Sequence, residues 1–589
     1  MLGRKKIKTD LCVVGGGMSG ICTAIAAARG GIKVVLMHER PVLGGNASSE
    51  IRMWVCGAAG RNNRETGIVE EIMLENYYRN PTKNFYIWDT VLYDFVLREE
   101  NITLLLNCTC MDAKVRKGNF ADGREIKIDM VTGYQMTTQT FFDVEAKFYA
   151  DCSGDSILAP LTGAQFRLGR EGADEFSEDT VVQHADDMTM GLSCLLQGRQ
   201  TERKVDFVPP EWSTKLTKEN FESRALNIYK TMENFWYLEL GGNRDTIGET
   251  EDIAKELIPL AVGTWDYVKN SGDCDAENWE LEFLGFLPGK RESRRMVGEY
   301  ILTQRDISDG KDFEDTVAYG GWPLDDHYPM GFYHKGTPNT DIYTNPPYPI
   351  PYRALYSKNV ENLFFAGRNI STSHMALSSV RVMATCGLLG QAVGTAAAVA
   401  VNNGLTPHGV YVQKLEELQQ KLMENDSFLP GKKREVSPIC KNIADNSGLC
   451  NGEDRANRLY GNDICGTEVD NGRQLVYNQK GEYVRAVHVV FDSDLNRETL
   501  PGDECERYHS MRCNVLLDSP VMCMPKTLCR DFVLTVCTDS GEKTVADIKD
   551  NRKRAYHWEI NEKVSKITLD ISSNWGGTEK TRVISFDFK

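Results

Sequence analysis

The first forty residues alternate between apolar runs and breaks in the order strand, turn, helix, strand. Ile7 to Val14 is apolar and β-branched with polar flanks, which predicts a buried strand. Met18 to Arg29 predicts a helix, and Lys33 to Met37 a second strand ending in His38-Glu39. Residues 123–151 pattern as a β-meander, Ile126 to Met130 turning at Thr132-Gly133 into a long alternating strand, Phe142 to Ala150. Residues 155–350 carry no repeat and mix helix with loop. Thr385 to Val401 predicts an apolar helix and Val410 to Met423 an amphipathic one. After Gly431 the texture changes. Residues 436–460 are polar and turn-rich, and short strands recur from Gln474 to Lys589, among them Tyr483 to Phe491, Asp531 to Cys537, Lys566 to Asp570 and Arg582 to Phe586. That pattern predicts a C-terminal β-sandwich, separable from what precedes it.

The break between the first strand and helix has a specific chemistry. Gly15, Gly17 and Gly20 stand in the three places of a GxGxxG turn. Gly15 permits the tight turn, Gly17 lets the backbone approach a pyrophosphate, and Gly20 lets the helix pack on the strand. The phosphates then meet the positive end of the helix, beside Met18 and Ser19. Glu39, at the end of the second strand and next to Arg40, can accept a hydrogen bond from a ribose hydroxyl. Gly44 to Ser48 follows, and its small residues suit a diphosphate and a ribityl chain. The turn itself does not choose between NAD and FAD.

Composition narrows the picture. A chain of 589 residues predicts two to four domains. No uninterrupted apolar run approaches the length of a membrane span. Met1 to Asp10 is polar and basic, without an apolar signal region, so a cytoplasmic protein is expected. The 17 cysteines are scattered with no CxxC pair, which favours reduced thiols over disulfides and gives no metal site. A net charge of −16 disfavours nucleic acid as a partner.

Further segments carry a family resemblance. Asp151 to Asp155 looks like the turn that closes the adenosine side of FAD domains. Asn362 to Arg368 precedes the helix containing Gly387, Gly390 and Gly394, and looks like a second flavin-contacting strand and helix. With Leu43 to Ala47, Arg291 to Tyr300 and Ala366 to Ser371, the chain resembles the FAD-dependent oxidoreductase family distantly related to the fumarate reductase and succinate dehydrogenase flavoproteins, over residues 7 to 425. The resemblance implies an α/β fold: a Rossmann-like FAD-binding domain in two parts, 1–160 and 351–430, interrupted by a substrate or cap region, 161–350. The β-sandwich, 436–589, has jelly-roll character after Val490. The implied FAD contacts are Gly15, Gly17, Met18, Ser19, Gly20, Glu39, Arg40, Gly45, Asn46, Ala47, Ser153, Gly154, Asp155, Gly367, Arg368, Gly387, Leu388 and Leu389. Many such flavoproteins carry Gly-Asp where this chain has Gly367-Arg368. His38 adjoins the ribose acid, away from a flavin ring, so FAD is expected to be non-covalent.

The densest candidate for chemistry is Gly367 to Arg381. His374 is the expected acid/base, since its ordinary pKa is near neutrality, and Arg368 and Arg381 are the expected cations for an anionic substrate. Glu50 and Arg52 are expected near the flavin. Arg291, Arg294 and Arg295, with Glu292 and Glu299, read as a self-neutralised network, and His327 and His334 receive no role. The expected function is an FAD-dependent dehydrogenase or reductase. It would exchange hydride between flavin N5 and a small organic substrate, a carbohydrate or polyol among the candidates, with an unidentified electron donor or acceptor. A flavin monooxygenase and a non-enzymatic FAD-stabilised binding protein are the alternatives.

Overall fold

Strand β1, Gly3–Val14, turns into helix α1, Met18–Arg29, and β2, Val34–Met37. Strands β3, Ile102–Leu105, β4, Cys108–Lys117, β5, Ile126–Gln135, and β6, Thr140–Asp151, follow. A last strand, β7, Leu363–Phe365, arrives more than two hundred residues later. This computed structural model describes residues 2–179, 181–231, 233–443, 447–461, 464–509 and 511–589. The order β3-β2-β1-β6 is parallel throughout, and β7 adds to β6 in parallel, while β5 and β4 extend the sheet antiparallel from the first half of β6. The apolar end of β1, Leu11–Val14, is buried on both faces, as a central parallel strand requires. Register levels the strand ends: Val14 pairs with both Met37 and Asp151, and Asp151 pairs with Phe365. The turns after β1, β2, β6 and β7 therefore open at one carboxyl edge, where ligands of such sheets bind.

Helix α2, Met383–Asn403, lies against α1. A Cβ on Gly390 would stand 2.2 Å from the Ser19 carbonyl oxygen, and one on Gly394 2.3 Å from that of Thr23. Glycine at those positions is what allows the two helices into backbone contact. Among the described residues α2 is the one helix long and apolar enough to cross a membrane, but 89% of its apolar window is buried inside the molecule, so it is a core helix here. The sequence pattern predicts it as Thr385 to Val401, and the helix extends two residues further at each end.

Between β6 and β7 the chain builds a second apolar core around helix Thr250–Asn270, with Leu257 and Trp265 packed against Phe235 and Trp279. The C-terminal segment is antiparallel, but its strands join one sheet and not the two of the jelly-roll-like sandwich that its pattern predicts. Its strands are β8, Thr467–Asp470, β9, Gln474–Phe491, β10, Cys529–Thr538, β11, Gly541–Ile548, β12, Ala555–Asn574, and β13, Lys580–Phe588. They join in one six-stranded sheet, β8-β13-β9-β12-β10-β11. The long strands β9 and β12 shift register twice where they pair, and such bulges bend a sheet without splitting it in two.

This sheet shares its core with the first one: Val487, Phe491 and Phe532 belong to the same continuous apolar cluster as Leu11 and Val14. Charges also cross the boundary. Arg497, fully buried, donates twice to Glu70, at 3.0 and 2.6 Å, and Arg554 pairs with Asp426. The change of texture at Gly431 thus marks a change of architecture and not a change of core. Cutting the chain there would strip Glu70 and Asp426 of their buried partners.

Candidate active site at the carboxyl edge of the sheet

The glycines of the first turn fall into two kinds. Gly15 has φ of +105°, and a Cβ there would stand 2.4 Å from the Cys152 carbonyl oxygen. A Cβ on Gly20 would stand 1.8 Å from the Gly15 carbonyl oxygen, so this residue seats α1 on the turn. Gly17 is the opposite case. Its Cβ would meet nothing nearer than the Gly45 Cα at 3.9 Å, because the position faces an open cleft. Gly17 is also the N-cap of α1 and offers no side-chain acceptor, which leaves the helix's first N–H groups for a ligand. The opposite rim is Gly44 and Gly45, with φ of +112° and +61°; the Gly44 N–H donates to the Gly16 carbonyl at 2.8 Å. Gly16 N–H donates to His38 Nδ1 at 3.0 Å, and His38 Nε2 faces the Val42 carbonyl at 3.0 Å. His38 is buried and spent on shaping this rim.

The cleft measures about 460 Å³. Of the expected cofactor contacts, Gly15, Gly17, Met18, Ser19, Glu39, Arg40, Gly45, Asn46, Ser153, Gly154, Asp155, Gly367 and Arg368 line it together. Gly20 sits behind the turn, and Ala47 is buried with its carbonyl taken by the Trp88 indole N–H at 2.9 Å. Gly387, Leu388 and Leu389 do not reach the cleft: a Cβ on Gly387 would strike the Val69 side chain at 2.4 Å, and both leucines are core. The helical phase of α2 turns these residues inward and presents Met383 and Cys386 to the cleft, with Arg381 and Val382 just before the helix. Glu50 binds Arg40 at 3.3 Å, while Arg52 is buried against the Phe283 ring, off the cleft.

Arg368, at the position that departs from Gly-Asp, finds its acid elsewhere. It pairs with Asp155, which also receives Lys290 at 2.9 Å and the Ser293 hydroxyl at 2.8 Å. Burial would raise the Asp155 carboxyl, but Arg368 and Lys290 outweigh it and hold the group below the ordinary range. A cradle of open glycine backbone, helix N–H groups and a rim of paired charge fits a dinucleotide, and its two-sided wall, with a second strand and helix at the far end, fits FAD.

That far end carries a buried relay of charges. Arg381 Nη2 donates to the Asp325 carbonyl and carboxylate at 3.0 and 3.1 Å. Asp325 approaches His327 Nε2 at 3.2 Å, and His327 Nδ1 approaches Glu239 at 2.6 Å. Arg291 closes the chain, 3.2 Å from Glu239 and donating to Ser193 at 2.7 Å. Burial would lower the His327 pKa, but Glu239 and Asp325 raise it above its ordinary value, so the chain tends to a net positive charge. Ser193, Arg291, Asp325 and Arg381 all face the cleft, beside Trp54 and Trp322. Arg381 Nε is buried with no acceptor among the described residues. The network read as self-neutralised thus divides: Arg295 is locked between Glu171 and Glu292, whereas Arg291 reaches the site. Asp325, Glu239 and His327 were passed over. For Asp325 and His327 the one signal was the run Asp325-Asp326-His327, and nothing in it tells which side chain faces where.

His374 stands elsewhere. It opens the helix His374–Val380, and its ring lies between Glu292, 2.9 Å from Nδ1, and Asp326, 3.0 Å from Nε2. Its backbone N–H donates to Glu171 at 2.8 Å. It lines a separate cavity of about 180 Å³ with Arg170 and Glu178 and does not line the cleft. Burial would lower its pKa, but the two carboxylates raise it to about 10.

The model of the family described as FAD dependent oxidoreductase matches residues 10–422, and the chain belongs to that family. No protein among curated sequences matches it. Solved structures superpose weakly. A geranylgeranyl bacteriochlorophyll reductase-like protein from Thermoplasma acidophilum is 12% identical over 72% of this chain and 86% of its own, with a TM-score of 0.30. Quinol fumarate reductase FrdA from E. coli is 11% identical over 71% and 75%, with a TM-score of 0.28. Adenylylsulfate reductase from Archaeoglobus fulgidus is 11% identical over 76% and 77%, with a TM-score of 0.29.

Proposed function

We propose that this member of the FAD dependent oxidoreductase family is a dehydrogenase or reductase acting on a small hydroxylated organic acid, sugar acids among them. A separate electron donor or acceptor would complete the cycle. The observation that carries the reading is Arg381: a half-buried guanidinium that lines the cleft's far end beside Arg291. Two guanidiniums on one wall suit an anionic substrate group through charge-assisted hydrogen bonds. FAD, when bound, supplies hydride exchange at N5. Gly15 to Ser19 with Gly44 to Asn46 would hold its diphosphate, and Glu39 its ribose. Arg381 and Arg291 would bind and orient the substrate anion. The proton on His327 Nε2 holds the Asp325 carboxylate toward Arg381, so the guanidinium plane is fixed before substrate arrives. Trp54 and Trp322 narrow the cleft and keep water from the reacting carbon.

The test is anaerobic mixing of the purified yellow holoprotein with sugar acids, hydroxy acids, neutral sugars and polyols, and of its reduced form with enoates. Bleaching of the oxidised-flavin band by an acid, or re-oxidation by an enoate, is expected. No response to any of these sinks the reading, and NADPH oxidation coupled to hydroxylation would replace it with a monooxygenase. Gly17→Val, whose side chain would fill the diphosphate's place, is expected to purify without flavin.

A further inference from the structure

A second cavity, of about 440 Å³, lies on the far side of Cys56 and Trp322, two residues that line both it and the flavin cleft. One wall is the loop from Val55 to Glu65, and the other comes from the C-terminal part of the chain, with Leu495, Asn496, Tyr508 and His509. The walls are joined near the surface by Arg61–Glu498, 3.0 Å, and by reciprocal bonds between Asn62 and Asn496 at 2.8 and 2.9 Å. The His509 ring rests on Trp54, which belongs to the cleft, so the C-terminal segment touches both compartments.

Arg64 stands apart among the charges inside. Arg64 lines the cavity and donates only to backbone, to the Leu495 carbonyl at 3.3 Å and the Tyr508 carbonyl at 3.0 Å, with its guanidinium 5.6 Å from the Tyr508 ring. No carboxylate is within ion-pair distance of it among the described residues. Of the carboxyls on the same walls, Glu498 is paired with Arg61, Glu504 is exposed, and the two buried ones are committed elsewhere. Glu70 is held by Arg497 and by the Ser493 hydroxyl at 2.8 Å. Glu65 accepts from the Ala58 N–H at 2.8 Å and the Thr385 hydroxyl at 2.9 Å, and burial raises its pKa, which favours the neutral acid. Arg64 thus has no ion-pair partner among the described residues and stands beside apolar surface from Val69, Met73 and Ala384.

We propose that this cavity is an outer compartment of the substrate site and that Arg64 there binds the carboxylate of an organic acid. The inference rests on the reading of the cleft as the place of reaction, because Cys56 and Trp322 stand between the compartment and the cleft and line both. The planar fork of an arginine suits a carboxylate, and the apolar wall suits a ring or chain behind it. The C-terminal part of the chain, through Tyr508 and His509, would then shape which acids are accepted.

The probe is 4-bromobenzoate, applied to the FAD-bound full-length protein, with 4-bromobenzamide as the neutral control. Calorimetry should show the acid binding and the amide binding much more weakly. Bromine anomalous scattering from soaked holoprotein crystals should place the acid against Arg64. Arg64→Met should weaken the acid by about tenfold or more, the scale of a lost charge-assisted hydrogen bond, with flavin content unchanged. Should Arg64→Met not fold, Arg64→Gln keeps a donor for the two carbonyls, loses the charge, and is expected to weaken binding comparably. Equal binding of acid and amide, no binding of the acid, a bromine site away from Arg64, or unchanged affinity in the variant overturns the proposal. None of these results depends on whether the flavin turns over a substrate, so a failure here is distinguishable from a failure of the redox reading.

Discussion

Asp325 and Asp326 are neighbours in the chain and members of different worlds. Successive residues of a strand point to opposite faces, and the strand Leu324–His327 separates two charged clusters in this way. On one face, Asp325 meets Arg381 and His327 at the end of the flavin cleft, where an arginine nitrogen is left without a partner. On the other, Asp326 meets His374, whose second nitrogen is taken by Glu292, itself bound to Arg295. Both clusters are buried and rich in charge. The first lines the flavin cleft through Arg291, Asp325 and Arg381; the second, where Arg295 Nε is likewise unmet, lines only a smaller cavity through Asp326 and His374. Burial and perturbed charge alone do not identify a site; a place on the wall of the cofactor cleft does.

The comparison can be broken most severely at His374. His374→Ala leaves Glu292 and Asp326 without their shared cation, and losing one member of a buried pair costs about 3–5 kcal/mol. Chemical denaturation should show a loss on that scale, while the variant that still folds should keep its flavin. If stability is unchanged and the flavin half-reaction slows by orders of magnitude, His374 belongs to the chemistry and the division is wrong.

A gentler form of the same test is pH. His374 is raised from its ordinary 6.5 to about 10 in the folded protein. Its contribution to stability is therefore fully present below about 6.5, where the unfolded chain is protonated too, and is lost as pH rises through about 10. Melting temperature should fall across that window, and His374→Gln should flatten part of the fall. A wild-type profile indistinguishable from that of the Gln variant would mean that the ring is not held cationic.

The smallest effect belongs to the open face. Arg381→Lys keeps the charge but loses the planar fork, and should weaken an anionic substrate by about tenfold, near 1.4 kcal/mol. Flavin content and melting temperature should stay close to wild type. Stopped-flow reduction at varied substrate concentration separates this from a slower chemical step. A large loss of stability in place of weakened substrate binding would move Arg381 to the structural side of the comparison.

What the sequence determined by itself is local. The strand-turn-helix-strand unit, Gly15, Gly17 and Gly20, and the acid Glu39 follow from short-range rules, because a tight turn, a close backbone approach and a helix end are each satisfied within a few residues. The C-terminal strands were legible for the same reason, by their period of two. What only the tertiary structure decided is facing. The phase of α2 turns Gly387, Leu388 and Leu389 into the core and brings Met383 and Cys386 to the cleft. The pleat of one short strand sends Asp325 to the site and Asp326 to His374. The site's polar end is assembled from Ser193, Glu239, Arg291, His327 and Arg381, nearly two hundred residues apart in the chain. No spacing rule connects such residues, since what joins them is the return of β7 beside β6 and the packing of the inserted core against that edge. The sharing of one apolar cluster by the first and last sheets was equally hidden, because a polar, turn-rich stretch reads as a boundary whether or not the elements beyond it fold back onto the same core.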